Sequence, residues 1–172
     1  MARNVEIKAS VRSVADLRER VSRLAGSAPT HIQQDDTFFK CDHGRLKLRS
    51  FPDGSGELIF YRRANAEGPT ISCYEVVPTN TADSLRSVLS QACGQVGRVR
   101  KQRTLYMVGR TRVHIDQVEG LGTFMELEVV LAEGESESIG VQEARELMAA
   151  LGIAESALID RAYVDLLNER GA

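Results

Sequence analysis

Charged side chains alternate with apolar ones along several segments of this 172-residue sequence. In the first such segment Glu6 and Lys8 alternate with Val5 and Ile7, which is the period of a β-strand with one apolar face. Later segments place bases and carboxylates in the same way, opposite an apolar face. The charged set consists of Glu6, Lys8, Arg45, Lys47, Arg49, Arg63, Lys101, Arg103, Arg112, Asp116, Glu126 and Glu128. If these faces meet in the fold, a group of cations lies beside a group of carboxylates.

The two kinds of side chain suit complementary parts of one reaction. Lysine and arginine bind phosphate oxygens through charge-assisted hydrogen bonds, whereas carboxylates hold hard divalent cations. Their combination therefore indicates metal-assisted phosphoryl chemistry. Glu126 and Glu128 are two residues apart on one predicted strand and share a face, so they are candidate metal ligands. His114 is in phase with Arg112 and Asp116, and it is either a proton shuttle or a hydrogen-bonded structural histidine.

Two arrangements of the strands accommodate these charged faces. In an open sheet they would face water, as runs of charge usually do. In a closed antiparallel barrel they would line the lumen, with helices packed against the apolar outer surface. Basic groups that share a lumen repel one another, and the four carboxylates of the set cannot neutralise all of them. A barrel would therefore be suited to a polyanionic ligand.

Turn signals divide the chain into about eight strands and four helices of one α+β domain. Strands are predicted at 5–11, 31–40, 45–51, 57–63, 70–77, 97–107, 110–118 and 123–132, and helices between Ser13 and Gly26 and at 80–93, 141–151 and 155–168. Short turns join most of the strands, which indicates mainly antiparallel pairing. No repeat, linker or low-complexity segment divides the sequence, so residues 1–172 are expected to form a single domain.

The overall charge and composition limit the range of partners. The chain carries 22 basic and 24 acidic residues and a formal net charge of −2, which argues against a nucleic-acid binder that depends on a large basic excess. The three cysteines are odd in number and form no C-x-x-C pair, so reduced thiols in a cytoplasmic protein are expected. No apolar stretch reaches the ~18 to 20 residues of a membrane span. We expect a monomer or homodimer that binds a small anionic molecule, and neither nucleic acid nor membrane.

Several short motifs occur in a fixed order along the chain. The first is Asn4-Val5-Glu6-Ile7-Lys8, and the others include Asp36-Thr37-Phe38-Phe39, Gly44-Arg45-Leu46-Lys47-Leu48-Arg49, Tyr61-Arg62-Arg63, Ser72-Cys73-Tyr74, Lys101-Gln102-Arg103, Arg112-Val113-His114-Ile115-Asp116 and Gly120-Leu121-Gly122-Thr123-Phe124-Met125-Glu126-Leu127-Glu128. The first motif resembles the N-terminal E-x-E-x-K strand of the CYTH superfamily, the triphosphate tunnel metalloenzymes. The resemblance spans nearly the whole chain, and several ordered motifs are more specific than any single one.

This resemblance implies both a fold and a set of site residues. The fold would be a closed eight-stranded antiparallel β-barrel, a tunnel, with helices packed outside, that binds a triphosphate with Mg²⁺ or Mn²⁺. The implied phosphate-binding residues are Lys8, Arg45, Lys47, Arg63, Lys101, Arg103 and Arg112, of which Lys8, Arg45, Lys47 and Arg103 are also the implied catalytic residues. The implied metal ligands are Glu6, Asp116, Glu126 and Glu128.

Two positions depart from the family pattern, and at a third the register of the fourth strand is open. The first glutamate of E-x-E-x-K is Asn4 here, so one metal ligand of the pattern is neutral. Many close relatives have a basic residue where this chain has Thr70, so one phosphate contact is in question. A one-residue slip of the fourth strand would turn Arg62 rather than Arg63 inward.

The motifs leave three functions open. The leading expectation is a divalent-metal-dependent hydrolase of a triphosphate, which could be thiamine triphosphate, a nucleoside triphosphate or tripolyphosphate. A class IV adenylyl cyclase would use the same residues to make cyclic AMP and pyrophosphate from ATP. A non-catalytic polyphosphate- or nucleotide-binding module is the third, with Asn4 and Thr70 as first signs of lost activity. Hydrolysis is preferred because the sequence shows no distinct adenine-recognition motif.

Overall fold

The strands of the computed structural model, which describes residues 1–171, close into a barrel. They are Ala2–Ser10 (β1), Thr30–Phe39 (β2), Arg45–Ser50 (β3), Gly56–Arg63 (β4), Thr70–Thr79 (β5), Gln95–Val108 (β6), Thr111–Val118 (β7) and Gly122–Val130 (β8). Every neighbouring pair is antiparallel, in the closed order β1-β5-β4-β3-β2-β6-β7-β8. The expected closed antiparallel barrel is therefore confirmed, with each predicted strand close to its expected position.

Helices pack against the outside of this barrel. They are Val14–Leu24 (α1), Ala82–Cys93 (α2), Glu137–Leu151 (α3) and Tyr163–Arg170 (α4), with a single 3₁₀ turn at Glu155–Ala157. One apolar cluster joins α1 and α3 to outward-facing strand residues, and it includes Ile7, Leu17, Val21, Ile115, Met125, Leu127 and Met148. Because the apolar residues of these strands point outward, the alternating charged residues point into the lumen. Within residues 1–171, no helix is long and apolar enough to cross a membrane.

Helix α3 begins earlier than the sequence pattern indicates, at Glu137 instead of residue 141. Gly140 lies inside the helix, and a Cβ atom built there would come within 2.8 Å of Val5 and 2.7 Å of Leu131. The glycine thus allows α3 to lie close against β1. The helix predicted from the sequence begins after this glycine, whereas in the structure Gly140 lies within the helix, where it permits close packing of helix and strand.

The C-terminal segment is the main departure from expectation, because residues 155–168 do not form one helix. Leu158 forms an isolated bridge with Ala9, and the Ile159 amide donates to the Lys8 carbonyl at 2.9 Å. The segment before α4 is therefore extended across the end of β1. Its apolar spacing fits a helix, but hydrogen bonds to the end of a strand override this local preference.

Helix α4 closes one end of the barrel. Phe38 and Val99, which face the lumen at this end, pack against Tyr163 and Val164 of α4. At the opposite end the lumen-lining Val76 is 41% exposed. The tunnel is thus closed at one end and reaches solvent at the other.

Candidate functional site

The lumen encloses a cavity of about 410 Å³, which is a size that holds small molecules. Eight basic side chains and five carboxylates line it, namely Lys8, Arg45, Lys47, Arg49, Arg63, Lys101, Arg103 and Arg112, with Glu6, Asp36, Glu57, Glu126 and Glu128. The structure therefore brings together every base that the sequence assigned to phosphate binding. Of the residues assigned to the metal, only Asp116 does not line the cavity.

Three of the bases lie across the tunnel from two of the carboxylates. β3 and β8 are four strands apart in the closed order, so their inward faces oppose one another. β3 contributes Arg45, Lys47 and Arg49, and β8 contributes Glu126 and Glu128. A ligand between these walls would contact the cations of β3 on one side, and on the other the β8 carboxylates together with the bases that pair with them.

Glu126 and Glu128 converge with His114 at one point of the lumen. One ligand atom from each of these residues lies within 4.8 Å of the others. His114 Nδ1 is 3.8 Å from Glu126 Oε2 and 3.7 Å from Glu128 Oε1. The strand register produces this arrangement, because His114 lies opposite Glu126 on β8 and Glu6 of β1 lies opposite Glu128. We refer to Glu6, His114, Glu126 and Glu128 as the candidate metal cluster.

Glu126 is held by bases on two sides. Lys8 Nζ lies 3.3 Å from its Oε1 atom, and Arg103 donates to Oε2 at 2.5 Å. Burial would raise the pKa of Glu126, but Lys8 and the neighbouring cations outweigh burial and hold this pKa well below its ordinary value. Burial and the charge of Arg103 also lower the pKa of His114. Its imidazole is therefore neutral near pH 7, with one nitrogen lone pair available to a metal.

The surroundings of Glu6 disfavour its charged form. Burial and the charge of Glu128 raise the pKa of Glu6, and Arg63, which donates to it at 2.7 Å, only partly opposes them. A divalent cation near these carboxylates would remove the repulsion between them. A donor set of three carboxylates and one imidazole fits such an ion.

Asp116 lies with the bases instead of with the candidate metal cluster. It is fully buried and accepts hydrogen bonds from Arg103 at 2.7 and 2.6 Å and from Lys101 at 2.8 Å. Burial would raise the pKa of Asp116, but the charges of Arg103 and Lys101 prevail and hold it below its ordinary value. Unlike Glu126 and Glu128, Asp116 does not line the cavity, and its observed partners are the two bases that it orients.

Two carboxylates outside the sequence-derived site complete the pairing of the bases. Asp36 accepts hydrogen bonds from Lys47 at 2.8 Å and from Arg49 at 2.9 Å. Asp165 of α4 accepts two from Arg45, at 3.0 and 2.6 Å. Each of the eight bases thus has a carboxylate within 4.0 Å, but they share seven carboxylates, so the bases still outnumber their acidic partners, as the sequence predicts.

The C-terminal segment also reaches the phosphate-binding set. Lys8 Nζ donates to the Arg161 carbonyl and Arg63 donates to the Asp160 carbonyl, both at 3.1 Å. The Tyr163 ring covers Lys8, with the ammonium 3.9 Å from the ring centroid. Because sequence reasoning placed these residues in an outer helix, it missed their contacts with the site.

The three positions left open by the sequence have defined places. Arg63 points inward and bonds to Glu6, whereas Arg62 is exposed, so the register with Arg63 inward is the observed one. Asn4 is buried, and its side-chain oxygen has no hydrogen-bond partner among the described residues. Thr70 lies opposite Glu6 and donates to a backbone carbonyl of the preceding turn at 3.1 Å.

Together, the closed barrel, its basic side chains and its cluster of carboxylates form a charged tunnel, and such a donor set is chemically suited to a polyanion and a divalent cation. The comparison with known families agrees with this arrangement. The CYTH domain model matches residues 2–163, and the chain belongs to the CYTH domain family.

Individual relatives are more distant than the family match. Adenylate cyclase CyaB of Aeromonas hydrophila is 30% identical over 104 residues, which cover 60% of this chain and 54% of that protein. The chain spans about half the length of the curated relatives it matches. A solved structure of a protein from Pyrococcus horikoshii OT3 aligns over 95% of this chain and 98% of its own chain, with a TM-score of 0.84 and 17% identity. The solved structure of HpAC1 from Hippeastrum, described as having a dominant triphosphatase activity, aligns over 99% of this chain and 96% of its own chain, with a TM-score of 0.62 and 15% identity. The likeness to these two structures concerns the fold alone.

Proposed function

We propose that this protein is a divalent-metal-dependent hydrolase of triphosphate substrates bound in the tunnel. The observation that carries the proposal is that the bases on β3 lie across one cavity from the carboxylates on β8. The bases extend from Arg45, beside α4, to Arg112, which lies opposite Glu128 toward the open end. A triphosphate would engage more of this length than a monophosphate, so it would bind more tightly.

The bases would hold the phosphates and stabilise the charge that develops during hydrolysis. Four cationic side chains would be the catalytic residues, namely Arg45 and Lys47 on one wall and Lys8 and Arg103 on the other. They would act electrostatically, by binding oxygens of the phosphoryl group and of the leaving group. Arg103 and Lys8 both contact Glu126, so they lie beside the candidate metal cluster. We further propose that Asp116 orients Arg103 and does not bind the metal itself.

The candidate metal cluster would hold Mg²⁺ or Mn²⁺. Glu126 and Glu128 would be its main ligands, with Glu6 contributing from the neighbouring strand. When bound there, such an ion supplies Lewis-acid polarisation of phosphate oxygens and activation of the attacking water. The protein's part is to fix these carboxylates opposite the bases of β3, so that the phosphoryl group is placed between them.

A class IV adenylyl cyclase is the second candidate function, and two observations favour it. One relative carries the name adenylate cyclase CyaB. In addition, apolar side chains line the tunnel away from α4, including Ile32, Phe51 and Leu105, and they would suit an organic group such as a nucleoside. In this reaction the ribose 3′-hydroxyl of ATP would replace water as nucleophile and pyrophosphate would leave.

A substrate panel separates these functions. Thiamine triphosphate, ATP and tripolyphosphate would each be incubated with Mg²⁺ or Mn²⁺, and phosphate, pyrophosphate and cyclic AMP would be measured. We expect phosphate release that EDTA abolishes and added metal restores. Cyclic AMP as the main product from ATP would favour the cyclase, and tight triphosphate binding without turnover under either metal would favour a non-catalytic binding module. Full activity in metal-free buffer would contradict the mechanism.

A further inference from the structure

The buried imidazole of His114 has a ring nitrogen, Nδ1, that forms no hydrogen bond with the described residues. The residue is 3% exposed. Buried polar atoms are nearly always paired, so a purely structural histidine would have a partner at this atom. Nδ1 is instead directed toward Glu126 and Glu128, at distances beyond a hydrogen bond.

The spacing of these three side chains suits a shared ion. Neighbouring ligands of an octahedral ion with bonds of about 2.1 Å lie about 3 Å apart. The separations of 3.8 and 3.7 Å between Nδ1 and the two carboxylates would therefore need to shorten by less than about 1 Å. Glu128 can supply Oε1, because Arg112 contacts its other oxygen, Oε2, at 2.9 Å. The β7–β8 register keeps the imidazole in place opposite Glu126.

We propose that His114 is a nitrogen ligand of the divalent ion and gives this site a preference for Mn²⁺ over Mg²⁺. The inference rests on the proposed metal-dependent function and adds a ligand to it. Carboxylate oxygens of Glu126 and Glu128 serve both ions, so they discriminate little between them. An imidazole nitrogen favours a transition-metal ion. Mg²⁺ instead prefers oxygen ligands and gives up its bound water molecules reluctantly.

Pulsed electron paramagnetic resonance of Mn²⁺ bound to the full chain tests the ligand directly. A coordinated imidazole nitrogen produces ¹⁴N modulation of the Mn²⁺ signal, and we expect it either with Mn²⁺ alone or with Mn²⁺ and an imido-bridged ATP analogue. Incorporation of ¹⁵N-histidine into the unsubstituted protein should change this modulation to that of ¹⁵N. His43→Asn, at an exposed turn, is the control and should retain it. Absence of histidine nitrogen coupling under both conditions would overturn the proposal.

Two substitutions test the metal preference through equilibrium binding of Mn²⁺ and Mg²⁺. His114→Asn places an amide oxygen near the position of Nδ1, and His114→Phe removes the donor while it keeps a ring. We expect Mn²⁺ affinity to fall at least about tenfold in both variants, with a change in Mg²⁺ affinity of less than about threefold. An unchanged ratio of the two affinities would overturn the selectivity. If either variant fails to fold, the ¹⁵N experiment on the unsubstituted protein still decides the ligand.

This inference and the proposed function fail in different ways. Triphosphate hydrolysis without nitrogen coupling would reject His114 as a ligand and leave the hydrolase intact. Nitrogen coupling without turnover of any triphosphate would support the ligand and reject the hydrolase.

Discussion

Replacement of Asp116 by asparagine would separate a positioning role from a metal-binding role. The sequence motifs group Asp116 with the metal ligands, whereas the structure places it, fully buried, between Lys101 and Arg103. Asparagine keeps the size of the side chain but removes the charge that compensates two buried cations. We expect Asp116→Asn to reduce the free energy of unfolding strongly and to leave Mn²⁺ affinity within about threefold, since the candidate metal cluster keeps its ligands.

The size of the effect follows from the burial of this group. Neutralising one partner of a buried ion pair costs about 3 to 5 kcal/mol. The amide oxygen can still accept one hydrogen bond from Arg103, so we expect the lower end, about 3 kcal/mol. With a urea dependence of about 2 kcal/mol per molar, the midpoint of unfolding would fall by about 1.5 M. Because the pKa of Asp116 is lower in the folded state, this contribution is present above the unfolded pKa of about 4 and is lost as pH falls below it.

Urea unfolding followed by circular dichroism at pH 7 and at pH 3.5 would measure both effects. Asp83→Asn is the matched control, because Asp83 pairs with Arg86 at 2.8 Å but is 89% exposed. The control should change the free energy of unfolding by less than about 0.5 kcal/mol. A loss below about 1 kcal/mol in Asp116→Asn, with Mn²⁺ affinity reduced at least about tenfold, would refute the positioning role and restore Asp116 as a metal ligand.

Three further perturbations test the site. Glu128→Gln should lower turnover by about 100-fold, or about 2.7 kcal/mol, because the ion loses a charged ligand, while Glu75→Gln on the exposed face of β5 should not change it. Burial and neighbouring cations lower the pKa of Lys47 to about 8, so Lys47 should take up a proton when a triphosphate binds at pH 8.5. This uptake would make the binding enthalpy depend on the buffer, and Lys47→Arg should abolish that dependence. Asp165→Asn should increase tripolyphosphate affinity, because it frees Arg45; unchanged affinity in a titration would exclude Arg45 from the binding set.

The period of the strands explains why the charged face of each strand could be predicted from the sequence, whereas closure of the strands into a barrel was implied by the family resemblance. Side chains alternate between two faces, so an apolar residue such as Leu48 fixes the opposite orientation of Lys47 and Arg49. Leu48 is fully buried and does not line the lumen, whereas both bases do. The same argument turned Glu126 and Glu128 to one face. This part of the prediction depends only on covalent geometry and on the burial of apolar surface.

The pairing of the charges could not be obtained in this way. Asp35 and Asp36 are adjacent on β2, and alternation alone does not decide which of them faces the lumen or which base it contacts. In the folded protein Asp35 binds the outer Arg98, while Asp36 joins Lys47 and Arg49 of the neighbouring strand. Which acid holds which base depends on register between strands that are distant in sequence, and a pattern within one strand carries no information on it.

The paired carboxylates differ in burial, and this difference sets the order in which a ligand can replace them. Arg45 and Asp165 are 28% and 30% exposed, whereas Asp116 and Arg103 are 0% and 6% exposed. Ion pairs that water reaches contribute little and separate easily, while separation of a buried pair leaves an uncompensated charge. A bound triphosphate would therefore displace Asp165 from Arg45 more easily than Asp116 from Arg103. It would meet Arg103 still oriented by Asp116, which is the preorganised state that favours electrostatic stabilisation.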